Sequence, residues 1–463
     1  MKSKFKSLLI IYPHWPPSNL AGVHRPRLIS NYLPEFNWHP IVLTVYPKYY
    51  EEKPDWDLLK TVSPATEIVH VNAFRITSPR IIGDIGLRGF WQIYRGAKKV
   101  IKERKVDFIW IPIPSFYVAL MGRLLYRKFK VPYGIDYIDP WVRDISGRND
   151  WRHRMSNWLA KLLEPIAIKK ATLITGVSKE YYKPALLRNF KKESIFPVFD
   201  HQQMVPSRGE PYKRLDRKSA NEKINKSKNK KIHHLAFPYG FDPNDHLIKL
   251  EGLEYPWDGI EDCLPIVYAG AFLPNSRLFI EVLFQAIGVL MKAGKWNNHI
   301  HLFFLGTGSY QGKTILEYAK EKGIEKYVHE HRDRYPFLHI LNYLSLAFGI
   351  LVIGSTEKHY TASKVFQSVL SGKPVFAILH QDSTARKVLQ KVQADVFTVE
   401  WNEQISVNEL NRTVELTLSN FINISKGWQP NTFILEKEFS SRILAEKLTS
   451  KLEEIFREGF GTK

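Results

Sequence analysis

The stretch SKVFQSVLSGKPVFA, from Ser363 to Ala377, carries the strongest indication of the fold. It predicts a short helix with Lys364 near its start and Gln367 one turn later, ended by a Ser-Gly pair. The Lys-Pro pair that follows opens an apolar run typical of a buried strand. A helix that delivers polar groups to the carboxyl edge of a parallel sheet marks where open α/β folds bind phosphorylated ligands. The alternative is an ordinary helix and strand of another α/β protein.

Length and charge narrow the class of protein. The chain has 463 residues, enough for two or three domains, and 44% of them are hydrophobic, as in a globular protein. Lys and Arg number 67 against 46 Asp and Glu, a formal charge of +21. This excess favours an anionic partner: nucleic acid, an acidic membrane surface or a phosphorylated substrate. A solvated basic surface without a partner is the alternative.

A single cysteine, Cys263, excludes an intramolecular disulfide and any cysteine-based metal cluster within the chain, and indicates a reducing compartment. The apolar run before Pro13 is about five residues, too short for a signal peptide, so we expect a buried first strand. The most apolar long stretch, Phe337 to Ile353, is broken by polar residues, so any membrane contact is expected to be peripheral.

The first part of the chain predicts a βαβ unit. Ser7 to Tyr12 is a strand, a Pro/Gly loop leads into a helix ending near Leu33, and Pro40 to Val45 is the next strand. Ala171 to Val177 is predicted as the last strand of this half. The remaining predicted strands are 67–71, 108–111 and 133–138, and the remaining helices are 90–103 and 151–170.

The second part alternates strands and helices again. Strands are predicted at 265–269, 299–305 and 348–353, with helices ending near 293 and at 314–322. Between the two parts, residues 211–231 contain nine Lys or Arg and only two acids, which predicts a solvated insertion. Apolar residues near the end, from Phe439 to Ile455, recur at helical spacing and predict an amphipathic helix. The predicted domains are 1–200, 201–260 (insertion and linker), 261–430 and 431–463 (a helix docking back across the domains).

Several segments resemble the GT-B glycosyltransferases, in particular the large retaining family that builds bacterial polysaccharides and glycolipids. The 363–377 stretch resembles that family's donor-binding motif S-K-x-x-E-x-x-x-x-G-K-P-V. PPSNLAGVHRPRLISNYLPEFNWHPIVLTV (16–45), FPYGFDPNDH (237–246), LPIVYAGAF (264–272) and HLFFLGTGSY (301–310) resemble its glycine loop, linker and donor-domain strands, in the same order. The resemblance implies an α/β protein with two Rossmann-like domains facing across a cleft.

The same resemblance implies a metal-independent enzyme that moves a sugar from a nucleotide-sugar to a glycan or lipid-linked acceptor at the cytoplasmic face of the membrane. A diphosphate leaving group needs positive charge and backbone N–H groups. Lys364 and Arg277 are the candidates for this role, with Arg25 as a further one. The expected donor-binding residues are Gly22, Gly270, Gly306, Gly308, Lys364 and Gln367.

The chain departs from the family pattern at three places. Gln367 and His359 stand where the family has Glu, and the Arg common after the strand-end glycine is replaced by Ala271 and Phe272. Gln can donate and accept hydrogen bonds but supplies no charge. An inactive GT-B scaffold therefore stays open, as do a nucleotide-sugar epimerase of the same fold and a basic nucleic-acid binder.

The segment DYIDPWVRD supplies the candidates for positioning the acceptor. Asp139 takes the place of the family His as the catalytic group, and Asp136 and Arg143 are expected beside it. His24 and Arg25 of the first loop are expected on the acceptor side too. The alternative for Asp139 is a cap on a helix that begins with Pro140.

Two further patterns bear on metal binding and on membrane contact. Asp55-Trp56-Asp57 has an Asp-x-Asp pattern, but it lies far from the donor motif, so we expect a helix cap and no metal. The helix 90–103 combines Trp91 with four cations, which suits an anionic lipid surface unless Trp91 packs in the core.

Overall fold

The computed structural model describes residues 5–77, 83–142, 151–191, 194–196, 231–310, 312–357, 364–423 and 430–459. The chain divides into two compact units. The first unit contains Met1–Lys53, Ser63–Pro238 and Leu444–Lys463, and the second contains Pro54–Val62 and Tyr239–Ile443. These units differ from the predicted domains in two ways: a short segment near residue 58 joins the second unit, and the final helix contributes to the first.

The first unit is built on a parallel sheet in the order β3-β2-β1-β4-β5-β6-β8-β7. Strands such as β4, with the sequence FIWIPI, are buried along their whole length, as expected where helices cover both faces. The order reverses direction between β1 and β4, which makes this the topological switch point of the sheet. The strands are β1 (Lys6–Ile11), β2 (Trp38–Val45), β3 (Glu67–Val71), β4 (Phe108–Ile113), β5 (Tyr133–Tyr137), β6 (Leu173–Gly176), β7 (Ile195–Phe196) and β8 (Ile232–Ala236).

The helices of the first unit connect these strands. Helix α3 has the bounds predicted from sequence, and α4 packs between α3 and α5. They are α1 (Ala21–Tyr32), α2 (Ile85–Arg88), α3 (Phe90–Glu103), α4 (Ala119–Phe129), α5 (Trp151–Ile168) and α6 (Lys179–Asn189).

The second unit repeats the plan with the order β11-β10-β9-β12-β13-β14, again entirely parallel in the described residues. Its switch point lies between β9 and β12. The strands are β9 (Leu264–Ala269), β10 (Ile300–Leu305), β11 (Val328–His331), β12 (Gly349–Ile353), β13 (Val375–His380) and β14 (Phe397–Trp401). The helices are α7 (Arg277–Lys292), α8 (Ile315–Glu321), α9 (Phe337–Leu346), α10 (Lys364–Leu370), α11 (Thr384–Lys391), α12 (Val407–Ile422), α13 (Thr432–Phe439) and α14 (Ser441–Arg457).

Two local expectations were wrong. β6 is not the last strand of its half, because β8 pairs with it and β7 follows at the edge. No helix begins with Pro140, because residues 138–142 are not helical. The predicted C-terminal helix corresponds to α14, and a shorter helix, α13, precedes it. The lysine-rich insertion lies outside the described residues except for Lys231.

Helix α14 packs on the first unit. Leu448, Leu452 and Ile455 are fully buried, in agreement with the predicted apolar periodicity. The Phe456 ring lies 5.9 Å from that of Trp38, and Lys6 pairs with Glu453. The first and last elements of the chain are thus packed together. Among the described residues, no helix is long and apolar enough to cross a membrane.

Candidate functional site

The switch point of the second unit brings two of the predicted residues together. Gly270 follows β9 with a φ of +122°, a conformation that glycine adopts far more readily than other residues. A Cβ atom there would lie 3.8 Å from Cδ of Lys364, the first residue of α10. The Gly270 turn therefore lies next to the lysine stem, with room for no more than a small group between them. This edge of the sheet is where α/β folds bind phosphorylated ligands.

The amino group of Lys364 is buried although part of the residue's stem is exposed. Its Nζ atom lies 3.8 Å from the centroid of the Tyr268 ring and has no hydrogen-bond acceptor among the described residues. Burial lowers the pKa of Lys364 to about 7. A buried cation without an acceptor is costly, so this group is suited to receive an anion.

Arg277 begins α7, which follows the β9 loop. Its guanidinium lies against Gly312, where a Cβ atom would come within 2.5 Å of an Nη atom. The preceding residue, Ser276, donates a 2.5 Å hydrogen bond to the carbonyl of Gly354 at the end of β12. The amino end of a long helix and an arginine are thus fixed at the switch point, and both favour negative charge.

Gly306 and Gly308 follow β10, as predicted, with φ of +73° and +75°. Their backbone is engaged by β11 and the loop after it: Gly306 N–H donates to His331 and Gly308 N–H to Arg332. Glu330 accepts hydrogen bonds of 2.7 Å from Thr307 and Tyr310 in the same loop. The β10 loop is therefore held by its neighbours.

Gln367 lies one turn after Lys364 and is half-buried. Its Oε1 atom lies 2.5 Å from Nε2 of His246, so the ring donates to the amide oxygen. Burial lowers the pKa of His246, against the opposing effect of this hydrogen bond, and Lys249 lowers it further. His246 lies in the segment 237–246 that resembles the family linker. The side chain that departs from the family Glu thus has a neutral partner.

In the first unit, Arg25 and Asp136 form a buried ion pair. Arg25 Nε and Nη2 lie 2.6 and 2.8 Å from the two Asp136 oxygens, and both side chains are fully buried. Thr175 donates to the same carboxylate at 2.6 Å, and Arg25 Nη1 donates to the carbonyls of Phe237 and Pro238. The pair joins α1 to the centre of the sheet. A closed, buried pair of this kind is typical of a structural contact, and the acceptor and diphosphate roles predicted for these residues stay predictions.

The other predicted residues of the first unit are close to that pair in sequence but do not belong to it. Gly22 is buried in α1, where a Cβ atom would come within 2.3 Å of the Tyr12 hydroxyl. His24 on α1 and Asp139 after β5 are half-buried. Arg143, like His359 in the second unit, lies outside the described residues.

Sequence reasoning missed a cavity of about 490 Å³ in the first unit, lined by charged residues. His14, three residues after the end of β1, donates from Nδ1 to Glu52 at 3.0 Å. Burial raises the pKa of Glu52, but hydrogen bonds from His14 and Ser18 and the charge of His14 outweigh it and bring the pKa to about 2. This contact fixes which ring nitrogen of His14 carries a proton.

Asp84 and Arg88 line the same cavity. Burial raises the pKa of Asp84 even though Leu87 N–H and the Ser115 hydroxyl donate to it. Ser115 follows β4 and His14 follows β1, so the cavity lies at the switch point of the first sheet. The sequence feature that could have predicted this cavity is the position of His14 shortly after the first strand.

The Asp-x-Asp pattern belongs to the second unit. Asp55 accepts a 2.7 Å hydrogen bond from the N–H of Phe337, the first residue of α9, so it is a helix cap as predicted, although for a helix distant in sequence. Asp57 pairs with Lys60 at 2.7 Å, and the hydrogen bond from Lys60 lowers its pKa. A larger cavity of about 810 Å³ beside Asp57 is lined by Tyr255, Tyr335 and other residues, and Lys364 and Arg277 do not line it.

No protein-family model and no curated protein sequence matches this chain. Solved structures match it over nearly its whole length. Sucrose-phosphate synthase from Thermosynechococcus elongatus gives a TM-score of 0.58 at 14% identity, covering 98% of this chain and 100% of that one. HepE from Anabaena, in complex with UDP and glucose, gives 0.55 at 12% identity, with 97% and 100% covered. WaaG, a glycosyltransferase involved in lipopolysaccharide biosynthesis, gives 0.51 at 13% identity, with 97% and 99% covered.

These matches agree with the topology: two α/β units, each with a Rossmann-type strand order. The chain has the GT-B fold of glycosyltransferases, which confirms the fold predicted from the sequence motifs.

Proposed function

We propose that this protein is a glycosyltransferase that moves a sugar from a nucleotide-sugar, of which UDP-sugars are the first to test, to a glycan or lipid-linked acceptor. The amino group of Lys364 at the switch point, buried and without a hydrogen-bond acceptor in the described part of the chain, carries the proposal. The UDP complex of HepE, which has the same fold, supports the choice of donor class.

The chemistry of a nucleotide-sugar donor explains why positive charge and a glycine are found at this switch point. In the reaction, the bond from the sugar C1 to the diphosphate oxygen breaks and a bond from C1 to an acceptor oxygen forms. The acceptor proton leaves with the nucleoside diphosphate. Negative charge develops on the leaving diphosphate, and Lys364, Arg277 and the amino end of α7 are the groups that would stabilise it. Gly270 allows the ligand to approach the backbone.

The acceptor is proposed to bind in the first unit, in the cavity of His14 and Asp84. His14 is oriented by Glu52, and such a histidine can hold an acceptor hydroxyl while a carboxylate fixes its ring. Asp139 stays a candidate for positioning the acceptor, whereas the closed Arg25–Asp136 pair is given no such role.

The finer features of the proposal rest on the motif resemblance: retention of configuration at C1, a hexose or related sugar, and a role in surface polysaccharide synthesis. Metal independence is supported by the carboxylates of the Asp-x-Asp pattern, because Asp55 caps α9 and Asp57 pairs with Lys60. Peripheral contact with an anionic membrane at its cytoplasmic face is supported by the charge of +21.

Titration calorimetry with UDP, GDP and dTDP and their glucose conjugates tests the donor site. At least one UDP ligand is expected to bind, and Lys364→Met should weaken binding by about tenfold or more, the value of a lost charge-assisted hydrogen bond. The matched control, Lys387→Met, removes an exposed lysine of α11 in the same unit and should leave affinity unchanged.

Failure of every nucleotide to bind would contradict the proposal. Once a donor is known, product analysis separates the alternatives: transfer to an added acceptor supports a transferase, whereas an isomerised nucleotide-sugar without transfer indicates an epimerase. Binding without any turnover indicates a scaffold. The anomeric configuration of the product, read by NMR, tests retention.

A further inference from the structure

Helix α5 carries a stripe of large apolar side chains on its exposed face. Five of them lie at positions i, i+4, i+7, i+11 and i+15, within an arc of about 80° at 100° per residue. Each is between 45% and 64% exposed. The residues of this stripe are Trp151, Met155, Trp158, Leu162 and Ile166.

The opposite face of α5 packs on the protein. Ala160, Ala167 and Ile168 are buried there, Leu163 packs against the core of the first unit, and buried Glu164 pairs with Arg188 at 2.7 Å. A helix that serves only its own fold presents mainly polar residues to solvent. The outer face of α5 instead presents large apolar side chains in one contiguous stripe, the kind of patch that marks an interaction surface.

Exposed cations border the stripe. Arg154 and Lys161 are both exposed and lie on the same side of the stripe. At 100° per residue they are about 40° and 60° from its edge. The only acid of α5 is the buried Glu164. The exposed side of this helix therefore combines apolar bulk with positive charge.

The neighbouring helices extend this character. α3, α4 and α5 lie side by side, with α4 in the middle. α3 carries four Lys or Arg, and α4 and α5 carry three each, against Glu103 and Glu164 as their acids. Trp91 of α3 is 61% exposed, so its predicted alternative, packing in the core, is wrong.

We propose that the stripe of α5 inserts into the surface of an anionic lipid bilayer, with the cations of α3, α4 and α5 at the level of the lipid head groups. Apolar side chains next to Lys and Arg are the composition of helices that lie in a membrane interface. A second copy of the chain fits less well, because a symmetric contact would bring the two basic borders together.

This inference rests on one part of the proposed function, the peripheral contact with an anionic membrane. It does not depend on the donor site. It also changes the expected binding mode. A purely electrostatic contact is reversed by salt, whereas an inserted apolar stripe retains binding when charges are screened.

Co-sedimentation of the full chain with phosphatidylcholine vesicles, with and without phosphatidylglycerol, at low and high salt, tests the proposal. The stripe variant Trp158→Gln with Leu162→Gln removes apolar area without changing charge. Its matched control is Val407→Gln with Leu416→Gln, on α12 of the second unit, whose side chains are 53% and 65% exposed. All four substituted positions are exposed, so unfolding temperatures should stay close to that of the parent.

The parent is expected to bind anionic vesicles and to keep a measurable fraction of that binding at high salt. The stripe variant should lose about tenfold or more in partitioning at both salt concentrations, and the control should behave as the parent. A basic-border variant, Arg154→Gln with Lys161→Gln, should lose binding at low salt only.

Equal partitioning of the parent and the stripe variant would overturn the proposal. So would a stripe variant that converts a dimer to a monomer in sedimentation analysis without a change in vesicle binding, because the stripe would then be a contact between copies. UDP-glucose binding, measured on the same proteins, keeps failure of the membrane surface separate from failure of the donor site.

Discussion

The amino group of Lys364 lies over the face of the Tyr268 ring, 3.8 Å from its centroid. An aromatic face attracts a cation but does not accept its protons as an oxygen would. The ring therefore offsets only part of the cost of burying the charge, and burial lowers the pKa of Lys364 to about 7.

Lys364→Met should stabilise the ligand-free protein. A buried base with a depressed pKa binds fewer protons when folded than when unfolded, so its cost is greatest below pH 7 and disappears as pH rises toward the ordinary lysine pKa. We expect a gain of about 1.4 kcal/mol or more at pH 6, the equivalent of one pKa unit. Urea unfolding at pH 6 and pH 10 measures it. A loss of stability at pH 6 would show that the lysine is already paired in the free protein.

Binding of an intact nucleotide-sugar should weaken as pH rises above about 7. The diphosphate of UDP-glucose does not titrate there, so the proton needed to charge Lys364 must be taken up on binding. The dissociation constant is expected to rise by up to about tenfold per pH unit. Calorimetry in buffers of different ionisation enthalpy measures the proton uptake. Lys364→Met should show a flat profile, and an equally flat profile in the parent would contradict the prediction.

Asp136→Asn should destabilise the first unit because it leaves Arg25 charged and buried without a partner. The expected loss is about 3–5 kcal/mol. The double change Arg25→Met with Asp136→Leu should cost less than the single change, since it removes both charges. The control is Glu103→Gln, because Glu103 is exposed and pairs only loosely with Lys99, at 3.9 Å. The midpoint of unfolding in urea is measured for each variant. If Asp136→Asn left that midpoint nearly unchanged, the pair would not be needed for stability and a functional role would be favoured.

Gln367→Glu should raise the pKa of His246. A carboxylate beside the ring stabilises the imidazolium, which opposes the lowering by burial. If the folded pKa rises above the unfolded one, the added stability is present below the unfolded value and is lost as pH rises through the folded value. An NMR titration of the His246 ring measures this. An unchanged His246 pKa would show that the contact seen here does not persist in solution.

Much of the fold could be predicted because it depends on local patterns. The run of β4 is apolar throughout, β13 is apolar up to its final residue, His380, and the glycines after β9 and β10 have the positive φ that strand-end turns require. β8 was missed because His233 and His234 interrupt its apolar pattern. Its pairing with β6 is also distant in sequence.

The site was less predictable because its contacts are long-range. Arg25 and Asp136 are 111 residues apart, and the sequence does not tell whether a strand-end carboxylate faces a ligand or a buried cation. His14 and Glu52 are 38 residues apart. The position of Lys364 was predicted, because the motif fixes its helix, but the ring of Tyr268 beneath it was not.

The packing of α14 has a consequence for the order in which the protein can mature. Phe456 and Glu453 contact Trp38 and Lys6, so the first unit lacks part of its hydrophobic core until residues 441–457 have left the ribosome. The second unit, whose segments lie mostly between residues 239 and 443, can be complete earlier. The nascent first unit therefore keeps apolar surface uncovered until α14 has been synthesised. A premature stop codon before residue 441 would consequently damage the unit whose synthesis begins first.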